Sequence, residues 1–101
     1  LILVIGMLDD KDIAAILEHI LVLADIIIFT RPVISRAADP RGIADFAVSH
    51  YNLRKEHLVI QKYGEALDQA LAMANPDDAV LVTGSLYTVS DIRSYWLQSQ
   101  G

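Results

Sequence analysis

Two stretches of this sequence place glycine and polar or charged residues directly after an apolar run, where the start of a helix can meet an anion. The first is Gly6-Met7-Leu8-Asp9-Asp10-Lys11-Asp12, after the run Leu1 to Ile5. Gly6 permits a tight exit, Asp9 or Asp10 can cap a helix, and Lys11 is left close to that helix's N-terminus. The macrodipole there favours an anion and disfavours a cation by about 0.3–1 kcal/mol. A lysine in this place therefore points to a bound carboxylate or phosphate, or else to surface pairing with Asp9, Asp10 or Asp12. The second stretch is Val82-Thr83-Gly84-Ser85-Leu86-Tyr87. Small residues at such a turn let backbone N–H groups approach an anion, and the Ser85 hydroxyl adds a donor. Gly84 and Ser85 are equally explained as a turn residue and an N-cap.

A third junction, Thr30-Arg31-Pro32, carries a guanidinium, and Arg36 follows a few residues later. Either arginine can hold a carboxylate or phosphate through two parallel hydrogen bonds, or simply lie solvated on the surface. His19, His50 and His57 share no metal-ligand spacing, so no metal is assigned to them; a helix face, a helix end and a strand start are their expected places. Gly6 and Lys11 trace the outline of a P-loop but not its pattern, because Asp10 and Asp12 flank the lysine. No G-x-G-x-x-G dinucleotide fingerprint occurs either. Phosphoryl transfer from ATP by this chain unaided is not expected.

The elements that must position these residues follow from the hydropathy pattern. Leu1 to Ile5, Asp25 to Thr30, His57 to Gln61 and Ala79 to Thr83 are short runs rich in Val, Ile and Leu. Three are nearly continuous in apolar residues, as strands covered on both faces are. Ile13, Ile16, Leu17, Ile20 and Ala24 form one helical stripe, and Ala66, Leu67, Ala70, Leu71 and Ala74 form another. Asp39-Pro40 opens a helix with an N-cap and a proline at its first position, continuing through Ile43, Phe46, Ala47 and Tyr51. Leu86 to Gln98 forms the last helix, and Asn75-Pro76-Asp77-Asp78 turns into the fourth strand. The order is βαβαβαβα. Parallel neighbours need long crossovers of one hand, so the expected fold is a Rossmann-like three-layer α/β sandwich with four parallel strands. Ligands in such sheets bind outside the carboxyl ends of the strands.

The 101 residues are material for one domain, and 53% apolar with 21% charged residues is a globular composition. A net charge of −5, with eight Lys and Arg scattered along the chain, excludes the basic stripe of a nucleic-acid binder. The longest apolar run, Ile20 to Phe29, is interrupted by Asp25 and falls well short of the roughly 20 residues needed to span a bilayer. No membrane span and no secretory signal are read, and the absence of Cys excludes a disulfide scaffold. The expected location is the cytoplasm.

The segment Thr83-Gly84-Ser85-Leu86-Tyr87 with Asp91 and Arg93 resembles the C-terminal signature of folylpolyglutamate and dihydrofolate synthases, within the wider Mur ligase superfamily. Gly6 to Asp12 resembles their GMLxDKD motif, and Thr30-Arg31-Pro32 with Ser35-Arg36-Ala37 resembles their T-x-P and P-R-A elements. Ser35 stands where the family usually has Pro, and Ser90 where it usually has Gly. The resemblance implies that residues 1–101 are a C-terminal glutamate-ligase domain truncated on its N-terminal side, starting after the family's D-G-A-H-N segment. It also implies a parent enzyme that uses ATP and Mg²⁺ to join L-glutamate to folate or dihydropteroate, with an N-terminal ATPase domain of the same chain as partner. Lys11 and Ser85, with Gly84, are then the expected contacts to glutamate carboxylates, and Arg31 and Arg36 further anion contacts. This piece alone is expected to bind no ATP or Mg²⁺ and to be inactive. A stand-alone anion-binding or regulatory module, or the equivalent domain of a Mur cell-wall ligase, are the alternatives.

Overall fold

In the computed structural model, which describes residues 1–9 and 12–100, the apolar runs form one parallel sheet. Its strands are β1 (Ile2–Gly6), β2 (Ile26–Arg31), β3 (Glu56–Lys62) and β4 (Val80–Gly84), in the spatial order β3-β2-β1-β4. The helices are α1 (Ile13–Ile20), α2 (Pro40–Tyr51), α3 (Tyr63–Met73) and α4 (Leu86–Gln100). The alternating order and the parallel sheet are as expected from the pattern.

Side chains alternate across a strand, so each central strand feeds two cores. Leu3, Ile5, Ile27 and Phe29 point to the face covered by α1 and α2, where they meet Leu17 and Ala47. Ile2, Val4 and Ile28 point to the other face and meet Ala66 and Ala70 of α3 and Ile92 of α4. That is why β1 and β2 read as continuously apolar: all five residues of β1 are buried. Each such side chain stabilises the fold by about 1.5–3 kcal/mol relative to exposure. The edge strands β3 and β4 are only partly covered.

The strand order also sets a switch point. From β1 the chain steps outward to β2 and then β3, after which it crosses back to place β4 on the free side of β1. Connections leave the carboxyl ends of β1 and β4 in opposite directions, which opens a crevice between them.

Two local departures have physical causes. The first helical stripe runs to Ala24 in sequence, but α1 ends at Ile20 and Leu21–Leu23 tighten into a 3₁₀ turn. The Lys55 ammonium donates to the Leu21 carbonyl at 2.8 Å, supplying from β3's approach a partner that a longer helix would have provided. In the second departure, β2 and β3 slip register between Phe29 and Arg31, so that Phe29 pairs with Val59 but Arg31 with Lys62. The extra residue on β3 is a bulge, a device that re-aims side chains at a strand end.

Candidate functional site

The switch-point crevice is built on two glycines packed against each other at the ends of β1 and β4. Gly6 and Gly84 are register partners. Gly84 has φ +114, a conformation other residues rarely adopt, and a Cβ there would overlap the Gly6 backbone. A Cβ on Gly6 would in turn lie 2.7 Å from the Thr88 hydroxyl. Both glycines are thus required by close approach of backbone, whatever ligand the crevice takes.

Ser85 starts α4 directly above this contact. It is buried, and its N–H donates to the Gly6 carbonyl at 2.8 Å. Its Oγ accepts the Thr88 N–H at 3.1 Å, as an N-cap does, and lies 3.0 Å from the Thr88 Oγ1. Thr88, fully buried, donates its hydroxyl proton to the Gly6 carbonyl at 2.9 Å. A threonine has one such proton, so between the two hydroxyls Ser85 must be the donor. The Ser85 proton is therefore committed within the fold, and a ligand that took it would have to break the bond to Thr88. The first-turn amides of Leu86 and Tyr87 have no intrahelical partner and are the donors that remain open at this end. Thr88 was not singled out in the sequence; its signal is the three-residue spacing from the N-cap Ser85.

Across the crevice, the segment that leaves β1 is tied to the loop after β2. The Asp9 N–H donates to the Arg36 carbonyl and the Ala38 N–H to the Met7 carbonyl, each at 2.8 Å, with Leu8 and Ala37 bridged antiparallel. This seats Arg36 beside the segment that leads to Lys11. Lys11 and Asp10 themselves lie outside the described residues. Asp12 caps α1 by accepting the Ala15 N–H.

Arg31 is not brought to this crevice. It ends β2 on the side away from β4, next to Lys62 of β3. Here Asp39 accepts the Arg41 N–H as the cap of α2 and also a hydrogen bond from Gln61, which joins α2 to the end of β3. The Gln61 bond first, then the Arg41 amide, hold the Asp39 carboxyl below its ordinary range, with Arg31 and Arg41 adding attraction. Neither glycine-rich spacing nor a side-chain cap marks the β3-to-α3 junction in the sequence. His19, His50 and His57 sit on α1, in the last turn of α2 and at the start of β3, as their spacing implied. Among the described residues no group of three or more His, Cys, Asp or Glu is placed to hold a metal ion, and no helix is long and apolar enough to cross a membrane.

Comparison with known proteins places this geometry. Residues 1–86 match the family model described as the Mur ligase, glutamate ligase domain. A curated protein of Haloferax volcanii, described as a probable bifunctional folylpolyglutamate synthase/dihydropteroate synthase, is 56% identical over 34 residues, which are 34% of this chain and 4% of that protein. The crystal structure of Mycobacterium tuberculosis folylpolyglutamate synthase complexed with ADP and AMPPCP superposes on 95% of this chain with a TM-score of 0.71 at 22% identity. The chain spans 23% of that structure's length, so both relatives are much longer than the part they share with it. With residues 1–86 of its 101 matched, the chain belongs to the family of Mur ligase glutamate ligase domains.

Proposed function

We propose that this chain is the glutamate-holding domain of an ATP-dependent folate:L-glutamate ligase. The observation that carries the reading is the placement of Gly6 and Gly84-Ser85, from the two motifs of the folate resemblance, on either side of the switch-point crevice. The relatives' names support folate as the acceptor class.

In this reading, Lys11 and the amides at the start of α4 hold the carboxylates of the incoming glutamate, with Arg36 beside them. Ser85 acts through its position, orienting those amides, because its hydroxyl is engaged by Thr88. Fixing the glutamate in this way orients its amino group for attack on an activated folyl carboxylate and lowers the entropic cost of the encounter. ATP and Mg²⁺ supply the activation when bound to an N-terminal ATPase domain of the parent. The described residues here form no metal-ligand cluster and the sequence has no phosphate-binding loop, so no step is assigned to them on this chain. The domain closes one wall of the cleft, in the cytoplasm.

The test is titration of the chain with L-glutamate followed by NMR. Shifts are expected at Gly6, Gly84, Leu86 and Tyr87, and Lys11→Ala is expected to remove them. Absence of shifts at these amides, with the chain folded, overturns the reading. Incubation of the chain with ATP, dihydropteroate or folate, and glutamate is expected to yield no ADP; steady turnover would overturn the assignment of catalysis to the parent.

A further inference from the structure

A second concavity lies two strands away, at the carboxyl ends of β2 and β3. It has a volume of about 870 Å³ and is lined by Arg31, Pro32, Val33, Lys62, Tyr63 and Tyr95, with Glu65 at its rim. Small-molecule pockets measure about 300–1,000 Å³.

Its charge is unusual. Arg31 and Lys62 are register partners on neighbouring strands, brought side by side by the bulge in β3. Like charges so placed repel. Among the described residues neither forms an ion pair, and Arg31 attracts the already engaged Asp39. Glu65 is the acid of the lining, on the first turn of α3.

Its walls are held in place by contacts within the lining and behind it. The Val33 N–H donates to the Asp91 carboxylate of α4 at 2.9 Å, which fixes the loop after β2. Tyr95 donates its hydroxyl to Asp68 at 2.6 Å and meets Tyr63 edge to face, ring centres 6.3 Å apart. The Tyr95 ring lies on the bare backbone of Gly64, where a Cβ would come within 2.8 Å of it. Two fixed rings and the exposed Val33 thus form an apolar wall, and Arg31 and Lys62, without an ion pair among the described residues, line the same groove. Ring faces and edges favour a planar aromatic partner, while the cations favour an anion.

We infer that this groove binds an aryl anion: a small ligand with a flat aromatic body against Tyr63, Tyr95 and Val33, and a carboxylate or phosphate between Arg31 and Lys62. The site is separate from the glutamate crevice and does not depend on the reading of that crevice.

The test titrates the chain with p-aminobenzoyl-glutamate, phenyl phosphate and glutarate, following tyrosine ring resonances by NMR and affinity by calorimetry. Saturable binding of at least one aryl probe is expected, with glutarate, which has charge but no ring, weaker by about tenfold or more. The double variant Arg31→Ala/Lys62→Ala is expected to weaken the aryl probe by about tenfold or more. Lys62 is exposed and Arg31 half-buried, and an unchanged urea midpoint verifies folding. Lys11→Ala is expected to leave this binding unaltered. The proposal is overturned if neither aryl probe binds, if glutarate shifts the Tyr63 and Tyr95 rings at the same concentrations as the aryl probes, or if the double variant binds like the unaltered chain. Loss of binding in Lys11→Ala alone would place the probe in the glutamate crevice and also overturn it.

Discussion

The Thr88 hydroxyl reaches across 82 residues to donate to the Gly6 carbonyl at 2.9 Å, and so joins the first turn of the last helix to the end of the first strand. The same carbonyl accepts the Ser85 N–H, and Ser85 and Thr88 exchange the remaining bonds. Thr88→Val keeps the shape and removes the hydroxyl. It leaves the Ser85 proton without its buried acceptor and takes one donor from Gly6, at a cost of about 1–3 kcal/mol. Urea unfolding should record that loss, and Thr88→Ser, which retains the hydroxyl, should recover most of it.

Gly84→Ala and Gly42→Ala should move stability in opposite directions. The first combines positive φ with overlap on the Gly6 backbone, so the end of β4 has to shift, and a loss of at least about 2 kcal/mol is expected. The second adds a methyl in open space within α2 and should gain about 0.5–1 kcal/mol. Unfolding midpoints of the two variants check both signs.

Affinity and stability should separate at the glutamate crevice. Lys11→Ala should weaken L-glutamate binding by about 1.5–3 kcal/mol, the usual value of a hydrogen bond to a charged group, with little change in unfolding midpoint. Ser85→Ala should lower stability by about 1–2 kcal/mol through loss of the cap, and affect glutamate through the position of the α4 amides. Calorimetric titration beside urea unfolding separates the two effects.

Acid should weaken the attachment of α2 to β3. The folded-state pKa of Asp39 is lowered, chiefly by its bond from Gln61. A depressed carboxyl contributes stability that is fully present above its unfolded pKa of about 3.9 and is lost as pH falls through the lower folded value. Asp39→Asn should remove that contribution, flattening the acid limb of the stability profile below about pH 4 while leaving its slope near neutrality unchanged. Urea midpoints across pH 2 to 7 provide the check.

Much of the fold was legible because each element carries its own periodicity. Continuous apolar runs such as Ile2 to Ile5 suit strands covered on both faces, and Asp39-Pro40 carries the N-cap and first-position proline of a helix start. The end of α1 was not legible, since the helical stripe runs on to Ala24 while the backbone tightens at Leu21, whose carbonyl accepts from a lysine thirty-four residues away.

The candidate site divides in the same manner. Residue order alone determined that Gly6, Lys11, Gly84 and Ser85 stand at strand-to-helix junctions, because chain direction and alternation are local properties of the sequence. Only the tertiary structure decided which junctions face each other. Strand order brings the ends of β1 and β4 together and sends Arg31 to Lys62 instead, and burial determines that the Ser85 proton belongs to Thr88. Pairing across the sheet and the sharing of one proton between two hydroxyls depend on contacts between residues far apart in the chain, which hydropathy and spacing do not encode.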